Sequence, residues 1–187
     1  KGMFNFNFQL THLNLAKNLI RDIQKFNFNY LVSLKMLNLS DNEINKIEPA
    51  SFSNLKNLEG LKLGYNYLSV LDSDFVKNLL NLKYLDLKDN WIESLNSDLF
   101  LNNPNLEVLN LEQNIIKILD RFLFSKLVRL HTLNLTDNRL SYLDRQFENL
   151  TELKNVYLSM NPLYYLRFIE ISIETLHLNN SRIDFSN

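Results

Sequence analysis

The sequence predicts an α/β solenoid of about eight repeats, with a curved parallel β-sheet on the concave face and a mostly irregular or 3₁₀ convex side. Three columns predict it. Aliphatic residues follow L-x-x-L-x-L-x-x-N-x-L-x-x-L from Leu10, Leu34, Leu58, Leu82, Leu106, Leu130, Leu153 and Ile173, at intervals of 24 residues that shorten to 23 and then 20. An asparagine recurs at Asn18, Asn42, Asn66, Asn90, Asn114, Asn138 and Asn161. A phenylalanine recurs at Phe28, Phe52, Phe75, Phe100, Phe124 and Phe147. Self-similarity at one fixed period means stacked units, each burying its apolar side against its neighbours.

Each element follows from its column. The L-x-L end of the pattern has period two, which suits a short strand with alternate side chains inward. Successive repeats then lay parallel strands side by side, about 4.8 Å apart. The chain turns out of the strand at the asparagine, whose amide can satisfy backbone groups stranded inside the turn. The phenylalanines fill the wide side, where stacked rings bury large area without a regular helix. Phe4 stands one period before Phe28 and belongs to a repeat whose strand is missing. The Leu153 repeat lacks a phenylalanine in register, a gap that Phe168, Ile169 and Ile171 can fill, and the Ile173 repeat carries Ser181 in place of asparagine.

Composition narrows the function classes. Twenty basic and 21 acidic residues nearly cancel, which gives no electrostatic case for nucleic acid or an anionic membrane. Apolar runs are far too short to span a bilayer, and Lys1-Gly2-Met3-Phe4 carries no secretory leader. There is no cysteine, so disulfides, thiolate catalysis and Cys-ligated zinc are excluded. The expectation is one domain over residues 1–187, a slice of a longer chain lacking cysteine caps.

The unit LKMLNLSDNEINKIEPASFSNLKNL, Leu34 to Leu58, resembles the extracellular leucine-rich repeat family in its 24-residue animal class. Toll-like receptors, Slit-type guidance proteins and secreted insect immune proteins carry such units. The resemblance covers essentially the whole chain and implies a solenoid that binds proteins. The compressed unit Asn155 to Ile183 is similar to the short repeats of mosquito leucine-rich immune proteins, which engage complement-like partners. The cysteine caps and coiled-coil tail of those proteins have no counterpart in this sequence.

No enzyme signature is present, and neither cofactor nor metal is expected. His12, His131 and His177 all fall on the strand face. His12 and His131 are five repeats apart, roughly 24 Å at strand spacing, which is too far to share an ion. The acidic group Asp86, Asp89, Glu107 and Glu112 could hold calcium weakly, but Lys62, Lys83 and Lys88 are interspersed and favour cross-strand charge pairs. Four N-x-[ST] sequons, at Asn38, Asn134, Asn149 and Asn179, are candidate glycosylation sites and point to an extracellular protein, secreted or a receptor ectodomain. Asn38 and Asn134 would project from the strand face, where a glycan obstructs part of it.

The partner surface is expected in the middle repeats. Gly60 and Gly64 remove bulk beside Tyr65 and Tyr84, leaving a shallow depression near Met36 and Asp86. The residues just after each column asparagine face solvent and expose Tyr67, Trp91 and Ile115 in consecutive repeats, with Trp91 the only tryptophan. A contiguous aromatic patch marks an interaction site or folds down over the edge of the core. The partners expected are a protein ligand or co-receptor, or a second chain in a homo- or hetero-dimer. No nucleic acid and no direct membrane insertion are expected. The competing reading is a structural scaffold or homodimerising spacer.

Overall fold

A computed structural model describes residues 3–168 and 172–184. Eight strands build one sheet: β1 (His12–Asn14), β3 (Met36–Asn38), β5 (Gly60–Lys62), β6 (Tyr84–Asp86), β7 (Val108–Asn110), β8 (Thr132–Asn134), β10 (Asn155–Tyr157) and β12 (Thr175–His177). Every neighbouring pair is parallel, in the order just given. The register sets Leu13, Leu37, Leu61, Leu85, Leu109, Leu133, Val156 and Leu176 beside one another, one inward residue per repeat. Two smaller parallel pairs lie beyond the asparagine turns, β2 (Asp22–Ile23) with β4 (Lys46–Ile47) and β9 (Tyr142–Asp144) with β11 (Tyr165–Arg167).

The aliphatic columns form one continuous core. Leu37, Leu39, Leu61, Leu63, Leu85, Leu87, Leu109, Leu111, Leu133 and Leu135 are buried, as are Ile44, Leu68, Ile92, Ile116 and Leu140 past each turn. The asparagine column performs the backbone service expected of it. In Asn90, Nδ2 donates to the carbonyls of Leu63, Leu87 and Lys88, while Oδ1 accepts the N–H of Leu68 in the preceding repeat. Asn42, Asn66, Asn114, Asn138 and Asn161 repeat this pattern. Asn18 is exposed and, among the described residues, donates to Leu15 O and Ala16 O alone. Ser181, in the last slot, donates Oγ to Leu178 O at 2.8 Å and supplies one of the missing bonds.

On the opposite side Phe4, Phe28 and Phe52 stack at 6.3 and 5.9 Å, and Phe100, Phe124, Phe147 and Phe168 at 6.4, 6.3 and 5.6 Å. These spacings exceed the roughly 4.8 Å between strands, so the stack bends with the sheet on its inner, concave side. Phe168 thus fills the register gap of the shortened repeat, whereas Ile169 and Ile171 lie outside the described residues. Phe75 sits one position early and meets Phe52 edge-on at 71°. Asn103 replaces an aliphatic residue one repeat on and donates Nδ2 to Val76 O and Leu79 O, both at 3.0 Å, bracing this displaced turn.

The convex segments are successive i→i+3 turns, such as Leu31 N to Phe28 O and Leu34 N to Leu31 O. No helix occurs among the described residues, so the α component of the expected α/β class is replaced by turns. Between Asn42 and the next strand, Phe52, Leu55 and Leu58 are buried three apart, and Leu55 N and Leu58 N reach the carbonyls of Phe52 and Leu55, so the backbone closes as separate turns. A second asparagine set, Asn57, Asn81 and Asn105, donates Nδ2 to Val32, Lys56 and Leu80 carbonyls one repeat back and staples these turns together.

Candidate partner-binding surface

The strand residues nearest the turn were expected to project into solvent. Instead Asn14, Asn38, Asp86, Asn110 and Asn134 fold their Oδ1 onto the backbone N–H two residues on, at 3.0–3.1 Å. Short polar side chains compete for local backbone in this way and close the turn out of the strand. Asp86 is half-buried, and its Oδ1 accepts the N–H of Lys88. Asn134 also donates Nδ2 to Glu112 Oε2 at 2.9 Å. Of the four sequon asparagines, Asn149 and Asn179 are exposed, while Asn38 and Asn134 are half-buried.

The next residue column turns the chain. Lys17, Asp41, Tyr65, Asp89, Gln113, Asp137 and Met160 all have φ between 50° and 59°, the left-handed region. Aspartate tolerates that conformation, but an aromatic side chain there is an outlier. Tyr65 holds it at φ 58° with its ring 49% exposed.

The depression expected over Gly60 is filled. A Cβ on Gly60 would come within 2.5 Å of Met36 Sδ and Cε, so the flexible thioether of Met36 lies across the glycine. A Cβ on Gly64 would meet Lys88 O at 3.2 Å, which makes this glycine a backbone clearance. Above them the surface is a mesh of rings and charges. Lys62 Nζ stands 5.7 Å from the Tyr84 ring, and Lys88 Nζ 5.8 Å from the Tyr65 ring. Lys88 pairs with Glu112 at 2.9 Å, Lys83 with Glu59 at 2.9 Å, and Lys35 with Glu59 at 3.7 Å. The hydrogen bond to Glu112 holds the Lys88 ammonium above its ordinary pKa. Burial raises the half-buried Tyr84 phenol, with the Asp86 charge adding to it.

On the flank, Tyr67 and Trp91 pair at 5.1 Å with their planes tilted 45°, and are 44% and 58% exposed. Ile115 was expected to extend this patch and is half-buried, its short β-branched side chain not reaching past the coil edge as the two rings do. The structure therefore pairs Tyr67 with Trp91 at one corner and leaves Tyr65 exposed two residues before Tyr67, with Tyr84, Met36 and Asp86 on the strands. A second aromatic group was not foreseen. Tyr142 and Tyr165 sit opposite each other in register on β9 and β11 and stack at 4.8 Å, with Tyr164 6.4 Å away. The 23-residue spacing of that repeat hid the pairing.

No group of three metal-ligating side chains comes together among the described residues. His131 contacts Thr132 and His177 meets Tyr157 edge-on, so the histidines take part in strand-face packing. No helix among them is long and apolar enough to cross a membrane.

A family model described as leucine rich repeat matches residues 8–68, 56–116 and 104–163. The chain belongs to the leucine-rich repeat family. A comparison with curated protein sequences gives no match. Among solved structures this leucine-rich repeat chain is similar to the leucine-rich repeat domain of APL1, with 24% identity and a TM-score of 0.84 over 97% of this chain and 46% of that one. It is similar to TLR13, solved in complex with ssRNA13, with 29% identity and a TM-score of 0.73 over 94% of this chain and 30% of that one. It is also similar to the Toll–Spatzle complex of Drosophila, described as a hub in development and innate immunity, with 23% identity and a TM-score of 0.81 over 98% of this chain and 28% of that one. The chain spans less than half the length of each.

Proposed function

We propose that this chain is the protein-binding module of an extracellular innate-immune or cell-recognition protein, secreted or part of a receptor ectodomain. The observation that carries the reading is the exposed Tyr67–Trp91 ring pair in the middle repeats, with exposed Tyr65 two residues before Tyr67. Monomeric proteins rarely leave their largest aromatics clustered in water, and tyrosine and tryptophan dominate protein–protein hot spots. The Toll–Spatzle complex is a precedent for a protein ligand on this fold.

TLR13 is seen with single-stranded RNA, and nucleic acid is the obvious rival. Affinity for nucleic acid rests on cations free to neutralise phosphates. On this sheet face Lys35, Lys83, Lys88 and Lys154 are each committed to a glutamate, and Lys62 lies against the Tyr84 ring, which leaves few cations for phosphates. A protein partner fits better. The exposed Asn149 and Asn179 are the sequons we assign to glycans, leaving the aromatic corner bare.

Selection of binding domains from a displayed library, followed by affinity measurement on Trp91→Ala, tests the reading. A tenfold or greater loss, with circular dichroism unchanged, is expected. Unaltered affinity across all selected binders overturns it. The exposed ring pair also suits self-association, the scaffold reading; sedimentation showing a dimer that dissociates on Trp91→Ala favours that alternative.

A further inference from the structure

Resting on the protein-binding reading, we propose that the Tyr65–Tyr67–Trp91 corner receives an arginine or lysine side chain of the partner, between the carboxylates of Asp41 and Asp89. The aromatic faces come first. Tyr67 and Trp91 meet at a 45° tilt, which leaves ring faces open to solvent rather than closed on each other. Such faces carry negative quadrupole potential and attract cations. At the neighbouring Tyr65 a cation already stands near the ring, with Lys88 Nζ 5.8 Å from its centroid. That internal cation is answered by Glu112 at 2.9 Å and does not oppose a second one.

The carboxylates make the corner selective. Asn42 N donates to Tyr65 O at 3.2 Å and Asn66 N to Asp89 O at 3.1 Å, so Asp41, Tyr65 and Asp89 occupy the same position in three adjacent repeats. Tyr65 thus stands between two aspartates, each about one strand spacing away, roughly 5 Å. Among the described residues neither Asp41 nor Asp89 forms an ion pair, whereas Glu43 and Glu93 on the same flank are held by Arg21 and Lys117. An acidic or purely apolar ligand would desolvate two unanswered carboxylates. A guanidinium would meet both the rings and the charges.

The test uses the purified chain and the emission of Trp91, its sole tryptophan. The probes are a peptide of four Arg-Ala repeats and its isostere with citrulline at each arginine. The expected result is a saturable change with affinity at least tenfold tighter for the arginine peptide. A further tenfold weakening is expected in the double variant Asp41→Asn, Asp89→Asn, which removes charge and retains a residue tolerant of the left-handed backbone. Equal binding of the two peptides, no saturable change with either, or undiminished binding by the double variant overturns the proposal. None of these outcomes touches the protein-binding reading, which fails instead if selected binders ignore Trp91→Ala.

Discussion

Oδ1 of Asn90 accepts the backbone N–H of Leu68, 22 residues earlier, at 2.9 Å. This bond ties the exit of one turn to the start of the next and recurs through the stack. A buried donor without its acceptor costs about 1–3 kcal/mol, and the amide also serves three carbonyls. Asn90→Ala should therefore lower stability by about 3 kcal/mol in chemical denaturation. Asn18→Ala, at an exposed site with two bonds, should lower it by less than about 1 kcal/mol. Equal losses at both positions would contradict the account of the column.

Asn103 interrupts a ladder otherwise made of Leu31, Leu55, Leu79, Leu127 and Leu150. It is fully buried, and among the described residues its Oδ1 has no hydrogen-bond partner. The carbonyls it serves keep other donors, Leu79 N on Val76 O and Leu82 N on Leu79 O. Asn103→Leu should raise stability by about 1 kcal/mol, because the orphan acceptor disappears and the aliphatic register is restored. A fall in the denaturation midpoint would show that Asn103 is needed to brace the displaced Phe75 turn.

Tyr65 exchanges stability for contact area. A non-glycine residue in the left-handed region costs roughly 1 kcal/mol, least for asparagine. Tyr65→Asn should leave stability unchanged or raise it by up to about 1 kcal/mol while weakening binding of the arginine peptide. A marked loss of stability would mean that the ring is a structural prop.

Alkaline pH should destabilise the fold. The pKa values of Lys88 and Tyr84 are raised in the folded chain, by the Glu112 hydrogen bond and by burial respectively. The unfolded groups titrate near pH 10.4 and 10. Stability from both is fully present below those values and is lost as pH rises through the higher folded ones. Thermal midpoints should drop above about pH 10, and Tyr84→Phe should flatten part of the drop. A midpoint that holds or climbs through that window would contradict the assignment.

Much of this fold was legible because its columns obey one period. Leu37, Leu61 and Leu85 need only equal spacing to be placed side by side, and Asn66 or Asn90 only a turn to satisfy. Phe168 was reachable once Phe147 fixed the register. The polar rows resisted reading, because a side chain such as Asn38 or Asp86 has the same sequence signature whether it meets water or its own backbone. The irregular convex side was legible too, because its segments carry few helix signals, and the described residues there form turns. Met36 over Gly60 could not be foreseen, since a flexible thioether takes whichever gap its neighbours leave. The exposure of Tyr65, Tyr67 and Trp91 was legible from their place beside the asparagine column, whereas the left-handed backbone of Asp41, Tyr65 and Asp89 was not.

The most direct measurement of the central claim is hydroxyl-radical footprinting of the chain bound to a selected protein partner. The account predicts strong protection of Trp91, Tyr67 and Tyr65, with exposed convex residues such as Phe26 and Phe122 unprotected. Protection confined to the convex side, with Trp91 oxidised as fast as in the free chain, would contradict it.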